Sequence, residues 1–305
     1  MRFFLAFLLS FFVLAANPCP AQDDDEDKKK DEDFSELEMD ENWDMDFWSR
    51  TNTIDFERPT ISIMGGQTQP IYHDDVFTGD FFQPKMMEVK IGYSDFIATH
   101  EDERIVEYEF SYIYLSNISN DIMAEDVADN EMEVSAWRFG FGSADGYGWA
   151  LGENASIVLY HADDMAWTKL DFKDEAQNSD EQDAVEVFGD AFRFGEQFES
   201  GIKIRPFEYV SIDAGYQRMI VFPRHMFWYW TLSTIIEGTA HGLANEFNEE
   251  ILESSPIVAP VVAFVLKGAI SYGMYELRSS KMNWPVKTAP PMMFDNYKVG
   301  ISFTF

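Results

Sequence analysis

Serial period-two alternation restricts the folds open to this chain, because each alternating run must set its two faces against different surroundings. From Pro59 onward such runs recur. Residues 86–97 oppose Met87, Val89, Ile91 and Tyr93 to Glu88, Lys90, Gly92 and Ser94. Residues 105–116 oppose Val106, Tyr108, Phe110, Tyr112 and Tyr114 to Glu107, Glu109 and Ser111. Trp137, Phe139 and Phe141 stand against Ala136, Arg138 and Gly140. The run from Tyr147 to Leu159 places Tyr147, Trp149, Leu151, Ala155, Ile157 and Leu159 on its apolar side, with Glu153 out of phase at a bulge or strand end. Ile202 and Ile204 oppose Glu199, Gly201, Lys203 and Arg205, and Val210, Ile212, Ala214 and Tyr216 oppose Ser211, Asp213, Gly215 and Gln217. The pattern predicts an all-β, antiparallel architecture whose strands each have one apolar face.

The final run is the most specific. Residues 296–305 read NYKVGISFTF, with Tyr297, Val299, Ile301, Phe303 and Phe305 on one face and Lys298, Gly300, Ser302 and Thr304 on the other. Alternation ending on a terminal aromatic resembles the C-terminal strand signature of bacterial outer-membrane β-barrels. The resemblance implies a transmembrane barrel of about eight strands (8–10) whose last strand is recognised by the barrel assembly machinery, in contact with outer-membrane lipid and lipopolysaccharide. With a short first strand at 60–64 the count is eight, even as such barrels require. Connections at 98–104, 143–146 and 206–208 are short, and those at 65–85, 117–131, 161–196 and 221–293 are long. This regular asymmetry fits periplasmic turns and extracellular loops.

A soluble lipocalin-like binder would alternate equally well with its apolar face inward. Two features favour the apolar face as the lipid side. Gly92, Gly140, Gly148, Gly201, Gly215 and Gly300 recur on the polar face, as a narrow interior needs. The same face carries charges of both signs: Glu88, Lys90, Glu107, Glu109, Arg138, Glu199, Lys203, Arg205, Asp213 and Lys298. These are expected to be lumen charges, forming a salt-bridged core in an eight-stranded barrel or lining a narrow pore in a wider one.

At the other end, Arg2 precedes the apolar run 3–16 and small residues follow, the pattern of a signal peptide over 1–21 cleaved after Ala21. Pro18 before Cys19 argues against the rival lipoprotein reading; cleavage after Ala21 removes the one cysteine and with it any disulfide. Residues 22–57 form an acidic, low-complexity leader, expected to be a solvated tail ahead of a barrel region at 58–305. The formal net charge of -33 excludes a nucleic-acid partner on electrostatic grounds.

Within 221–293 the alternation stops. Leu232, Ile235, Ile236, Ala240, Leu243, Phe247 and Ile251 recur at helical spacing, with Glu237, Asn245, Glu246, Glu249 and Glu250 mostly opposite. Ser255-Pro256 begins a second, almost wholly apolar stretch to Leu277 that is long enough to span a bilayer. Together they predict a helical hairpin insertion over 228–280, before the last strand. Three placements are open: a cap or lining at the barrel mouth, misread strands that raise the count to ten, or an embedded or interfacial membrane helix. The aromatic segment Arg224 to Trp230 fits an interfacial girdle.

Chemistry is sparsely signalled. His73, His100, His161, His225 and His241 include no metal-spaced pair, and there is no GxSxG elbow or phosphate loop, so neither a metal nor another cofactor is expected. The weak catalytic candidates are His225 with Ser233 and Glu237, or His241, which could form a lipid-modifying set at the rim. The leading expectation is a structural or interaction role in the outer membrane, with acidic loops and the hairpin on display. A small passive pore and a lipid-modifying enzyme are the alternatives.

Overall fold

The computed structural model describes residues 58–72, 76–77, 80–99, 102–122, 127–128, 131–152, 154–173, 178–189 and 191–305. The signal segment and acidic leader fall outside the described residues. Eight strands form one closed antiparallel barrel: β1 Arg58–Tyr72, β2 Lys85–Ala98, β3 Ile105–Ser119, β4 Val134–Ala150, β5 Ser156–Phe172, β6 Arg193–Phe207, β7 Val210–Val221 and β8 Met292–Thr304. Neighbours in sequence are neighbours round the barrel, and β1 closes against β8 with Ile63 opposite Ile301 and Gly66 opposite Lys298. Closure removes the unpaired edges that an open sheet leaves. Both chain ends of the barrel lie at one rim, called here the lower rim, and the long connections lie at the upper rim. Asp80–Phe81 and Glu131–Met132 pair as two short parallel strands among those upper connections.

Period-two patterning sorts most side chains as expected. Met87, Ile91 and Tyr93 of β2, Trp137, Phe139 and Phe141 of β4, and Tyr297, Val299, Ile301 and Phe303 of β8 are exposed on the outer wall, with Phe305 just beyond. Glu88, Lys90, Arg138, Glu199, Lys203, Asp213 and Lys298 are buried inside.

β3 is reversed. Tyr108, Phe110, Tyr112 and Tyr114 point into the barrel, and Ile113 and Leu115 are exposed outside. Glu107 and Glu109 are therefore corrected from lumen to outer wall, where Glu107 accepts from the Tyr147 hydroxyl at 3.4 Å. Two physical reasons account for the reversal. Phenols carry a hydroxyl that can bond to charge inside. They also fill the room left by inward glycines: a Cβ on Gly140 would come 2.8 Å from the Tyr114 ring, and one on Gly201 would come 2.6 Å from that of Tyr160.

The position of one turn also differs. Residues 143–146 lie within β4, and the chain reverses at 151–155, where Leu151 N–H donates to the Ala155 carbonyl at 2.8 Å. β5 then climbs to Phe172, so much of the expected loop at 161–196 is strand. The remainder holds helix α1 (Ser179–Gly189), capped by Asn178 Oδ1 accepting from Asp180 N–H at 3.1 Å and Glu181 N–H at 2.9 Å. Its Phe188 joins Met86, Ile118, Val134, Leu170, Met219, Met292 and Phe294 in an apolar plug that closes the upper lumen.

The predicted hairpin is present as α2 (Phe227–Ser254) and α3 (Ala259–Ser279), between β7 and β8. It adds no strand and leaves the count at eight. Nor does it cap the mouth. Leu252 and Ala259, near its tip, pack with Ile105 at the lower end of β3, and Trp149 Nε1 donates to the Ile257 carbonyl at 3.0 Å. Trp230 and Arg278, at its base, reach Glu196 near the top of β6. The hairpin thus runs the height of the barrel against the outer wall. At ~1.5 Å per residue, α2 extends about 42 Å. Among the described residues no helix is long and apolar enough to cross a membrane on its own, which corrects the reading of 256–277 as an apolar span.

At the β2–β3 turn, Asp102 accepts from Arg104 Nη2 at 2.6 Å and from its backbone N–H at 2.9 Å. These bonds from Arg104 hold its carboxyl down to about 2. A depressed carboxylate contributes above its unfolded range and loses that contribution as pH falls through the folded value. The Asp102 carboxyl resonance is expected to titrate with a midpoint near 2, shifting toward ordinary aspartate values in Arg104→Ala.

Candidate functional site

Two polar assemblies share the barrel wall, one inside it and one outside. Inside, β2, β6 and β8 bring two lysines and two glutamates together. Lys298 Nζ lies 2.5 Å from Glu88 Oε1 and 2.7 Å from Glu199 Oε2, and Lys90 Nζ lies 2.8 Å from Glu199 Oε2 and 3.7 Å from Glu88 Oε1. All four are buried, and their charges cancel. Tyr160 donates to Glu199 at 2.6 Å, Tyr112 donates to Asp164 at 2.6 Å, and Lys90 donates to Tyr112 at 3.0 Å. Arg138, Gln197 and Asp164 form a connected chain, and Lys203 pairs with Asp213, which also accepts from Ser302 at 2.5 Å. Arg205 lies lower, over the Phe96 ring at 4.0 Å, in a polar vestibule at the lower rim with Arg58, Asp95 and Glu208. Buried charges persist only when paired and hydrogen-bonded, and here they fill the bore.

Outside, the hairpin meets the wall through an equally polar seam. Its inward stripe carries Ser233, Glu237 and His241 on α2, and Lys267, Ser271, Tyr275 and Arg278 on α3. The wall answers from outward positions on β4 to β8. Lys267 pairs with Asp145. Arg278 bonds Glu196 at 2.5 Å and Glu237 at 2.9 Å, and donates to Ser233 Oγ at 3.0 Å. Arg218 pairs with Glu276 at 2.8 Å and Asp295 at 3.2 Å, with the rings of Tyr272 and Tyr275 4.4 and 4.2 Å away. Leu232, Ile235, Leu243, Phe247, Val261 and Val265 are exposed on the side turned from the barrel. These helices are therefore polar toward the protein and apolar toward the surroundings.

The weak catalytic candidates do not assemble as a triad. His225 packs edge-on or tilted among the rings of Phe194, Phe227 and Trp230 at the upper rim, and burial there lowers its pKa. Ser233 and Glu237 are engaged by Arg278 instead. His241 belongs to a different group: its Nε2 is 3.0 Å from Ser271 Oγ, which is 3.0 Å from His161 Nε2. His161, Asp163, Ser271, Arg218 and Glu196 were not legible as site residues, because a polar outward residue reads as a loop until its covering helix is known. Asp164, Gln197 and Asn296 were missed inside; period-two counting from Glu199 and Lys298 would have found the last two.

No family model matches this sequence, and no curated protein matches it. Among solved structures it is similar to Neisserial surface protein A, with a TM-score of 0.37 and 8% identity over 81% of this chain and 97% of that one. It is also similar to Ail, the attachment invasion locus protein of Yersinia pestis, with a TM-score of 0.31 and 8% identity over 81% and 99%.

Proposed function

We propose that this protein is an outer-membrane β-barrel with a structural or interaction role, in which the helical hairpin is a permanent, lipid-facing part of the wall. The observation that carries the reading is the inverted distribution of polarity. Large apolar side chains such as Ile113 (64% exposed) and Val299 (63%) cover the outside, while the interior holds paired charges. Soluble proteins rarely expose apolar surface on this scale, whereas a lipid-facing wall requires it. Glu246, Glu249 and Glu250 are exposed on the lower part of α2, toward the hairpin tip, where water begins. Lipid, lipopolysaccharide at the upper rim, and the barrel assembly machinery during biogenesis are the contacts this setting entails.

The packed bore and the apolar plug above it disfavour the pore alternative, since eight strands leave room for side chains and none for a water column. The lipid-modifying alternative has no exposed nucleophile in the seam, where Ser271 is fully buried. Fractionation tests the location. The protein is expected in outer membranes, with faster gel mobility unboiled than boiled, and purified protein in planar bilayers is expected to give no conductance steps. A soluble periplasmic protein with no mobility shift would overturn the membrane reading, and steady unit conductance would overturn the sealed lumen.

A further inference from the structure

The seam also contains a cluster of two histidines and one aspartate. We infer that His161, Asp163 and His241 form a binding site for a divalent transition-metal ion of the zinc type, joining α2 to the barrel wall. The three side chains each offer one ligand atom, and all those atoms lie within 4.8 Å of one another. His161 and Asp163 project outward from the same face of β5, two residues apart, and His241 descends from α2 above them.

Three features point to a metal. In a tetrahedral site with bonds of ~2.0–2.2 Å, ligand atoms stand about 3.3 Å apart. His161 Nε2 and Asp163 Oδ1 are already 3.4 Å apart, and side-chain rotation brings in His241. A metal-bound histidine characteristically donates its other ring N–H to an oxygen, which fixes the tautomer. His161 Nδ1 lies 3.1 Å from Ser200 Oγ on β6, in position to do so. With that proton on Nδ1, the lone pair of Nε2 turns toward the Asp163 carboxylate and the Ser271 hydroxyl, the orientation a metal ligand needs. Ser271 Oγ lies between the two imidazoles at 3.0 Å from each, where it satisfies the unloaded site and stands ready as a fourth ligand.

Charge and access agree with this assignment. Lys267 and Arg278 are cations close by; Asp145 neutralises the first, and Glu196 and Glu237 neutralise the second, leaving the Asp163 charge for the ion. The Asp163 side chain is 58% exposed at the edge of the seam, while both imidazoles are buried. The donor set of two nitrogens and one carboxylate suits zinc and its spectroscopic substitute Co²⁺, and suits calcium and magnesium poorly.

Full-length protein purified in detergent, stripped with EDTA and titrated with Co²⁺ tests the site. One equivalent is expected to produce the visible bands of four-coordinate cobalt, and Zn²⁺ is expected to abolish them by displacement. His161→Ala with His241→Ala should remove the bands. Ser200→Ala should weaken Co²⁺ binding about 10-fold or more through loss of the orienting bond. The acidic leader binds metals only through carboxylates, which give six-coordinate cobalt and no such bands. If the histidine variant fails to show the gel mobility of a folded barrel, Asp163→Asn, on an exposed side chain, replaces it and should weaken binding. Absence of four-coordinate cobalt in the wild type, or bands indifferent to these substitutions, overturns the proposal and leaves a proton between His161 and Asp163.

Discussion

Lys298→Met is expected to destabilise the folded barrel by about 3–5 kcal/mol, the usual cost of removing one partner from a buried charge cluster. Lys298 is fully buried and touches both Glu88 and Glu199, so its loss leaves two carboxylates sharing the single charge of Lys90. The penalty comes from the uncompensated carboxylate, and it should disappear with it. Glu88→Gln added to Lys298→Met restores neutrality around the Lys90–Glu199 pair and should recover most of the loss. Urea unfolding in detergent, read by the gel mobility difference, measures both. A single variant within about 1 kcal/mol of wild type, or a double variant no better than the single, would mean that water reaches the cluster.

Arg278→Met should produce an effect of similar size in a different place. Arg278 ties the barrel (Glu196) to both helices of the hairpin by charge, through Glu237 and Ser233 on α2 and its own position on α3. Two carboxylates lose their cation, and about 3 kcal/mol corresponds to more than a 100-fold change in the docked-to-undocked ratio. Hydrogen exchange is expected to accelerate by at least that factor in α2 and α3, with β1–β3 unchanged, because no ladder bond of the barrel runs through the hairpin. Glu196→Gln with Glu237→Gln should rescue docking. Exchange that rises equally in β1–β3 would show that hairpin and barrel melt as one unit.

The extent to which this fold can be read from sequence depends on what each stretch of wall faces. Where strands meet surroundings outside and charge inside, as in β2 and β8, period-two alternation is clean and every face follows from it. The errors cluster where another element covers the wall. Asp145 makes 143–146 resemble a turn, and His161 with Asp163 makes the middle of β5 resemble a loop, because their partners Lys267 and Ser271 are more than 100 residues away. Covered outward positions are chemically like lumen positions, so alternation vanishes there. β3 failed for a different reason: tyrosine counts as apolar in a pattern and acts as a hydrogen-bond donor in a narrow bore. The hairpin was visible through its helical spacing, which left open the side its apolar stripe would face; the structure exposes that stripe. Which stripe turns inward depends on the surrounding medium, and hydrophobic periodicity does not encode it.

A bare barrel of eight similar strands presents nearly the same profile from every direction around its axis. Laying α2 and α3 over β4–β6 ends that rotational sameness and gives the barrel unit a ridged back and a smooth front of β1–β3. In the bilayer proposed here, neighbours approaching from different azimuths meet different shapes, so lateral encounters acquire direction. The insertion between β7 and β8 thereby gives the barrel a heading in the membrane plane.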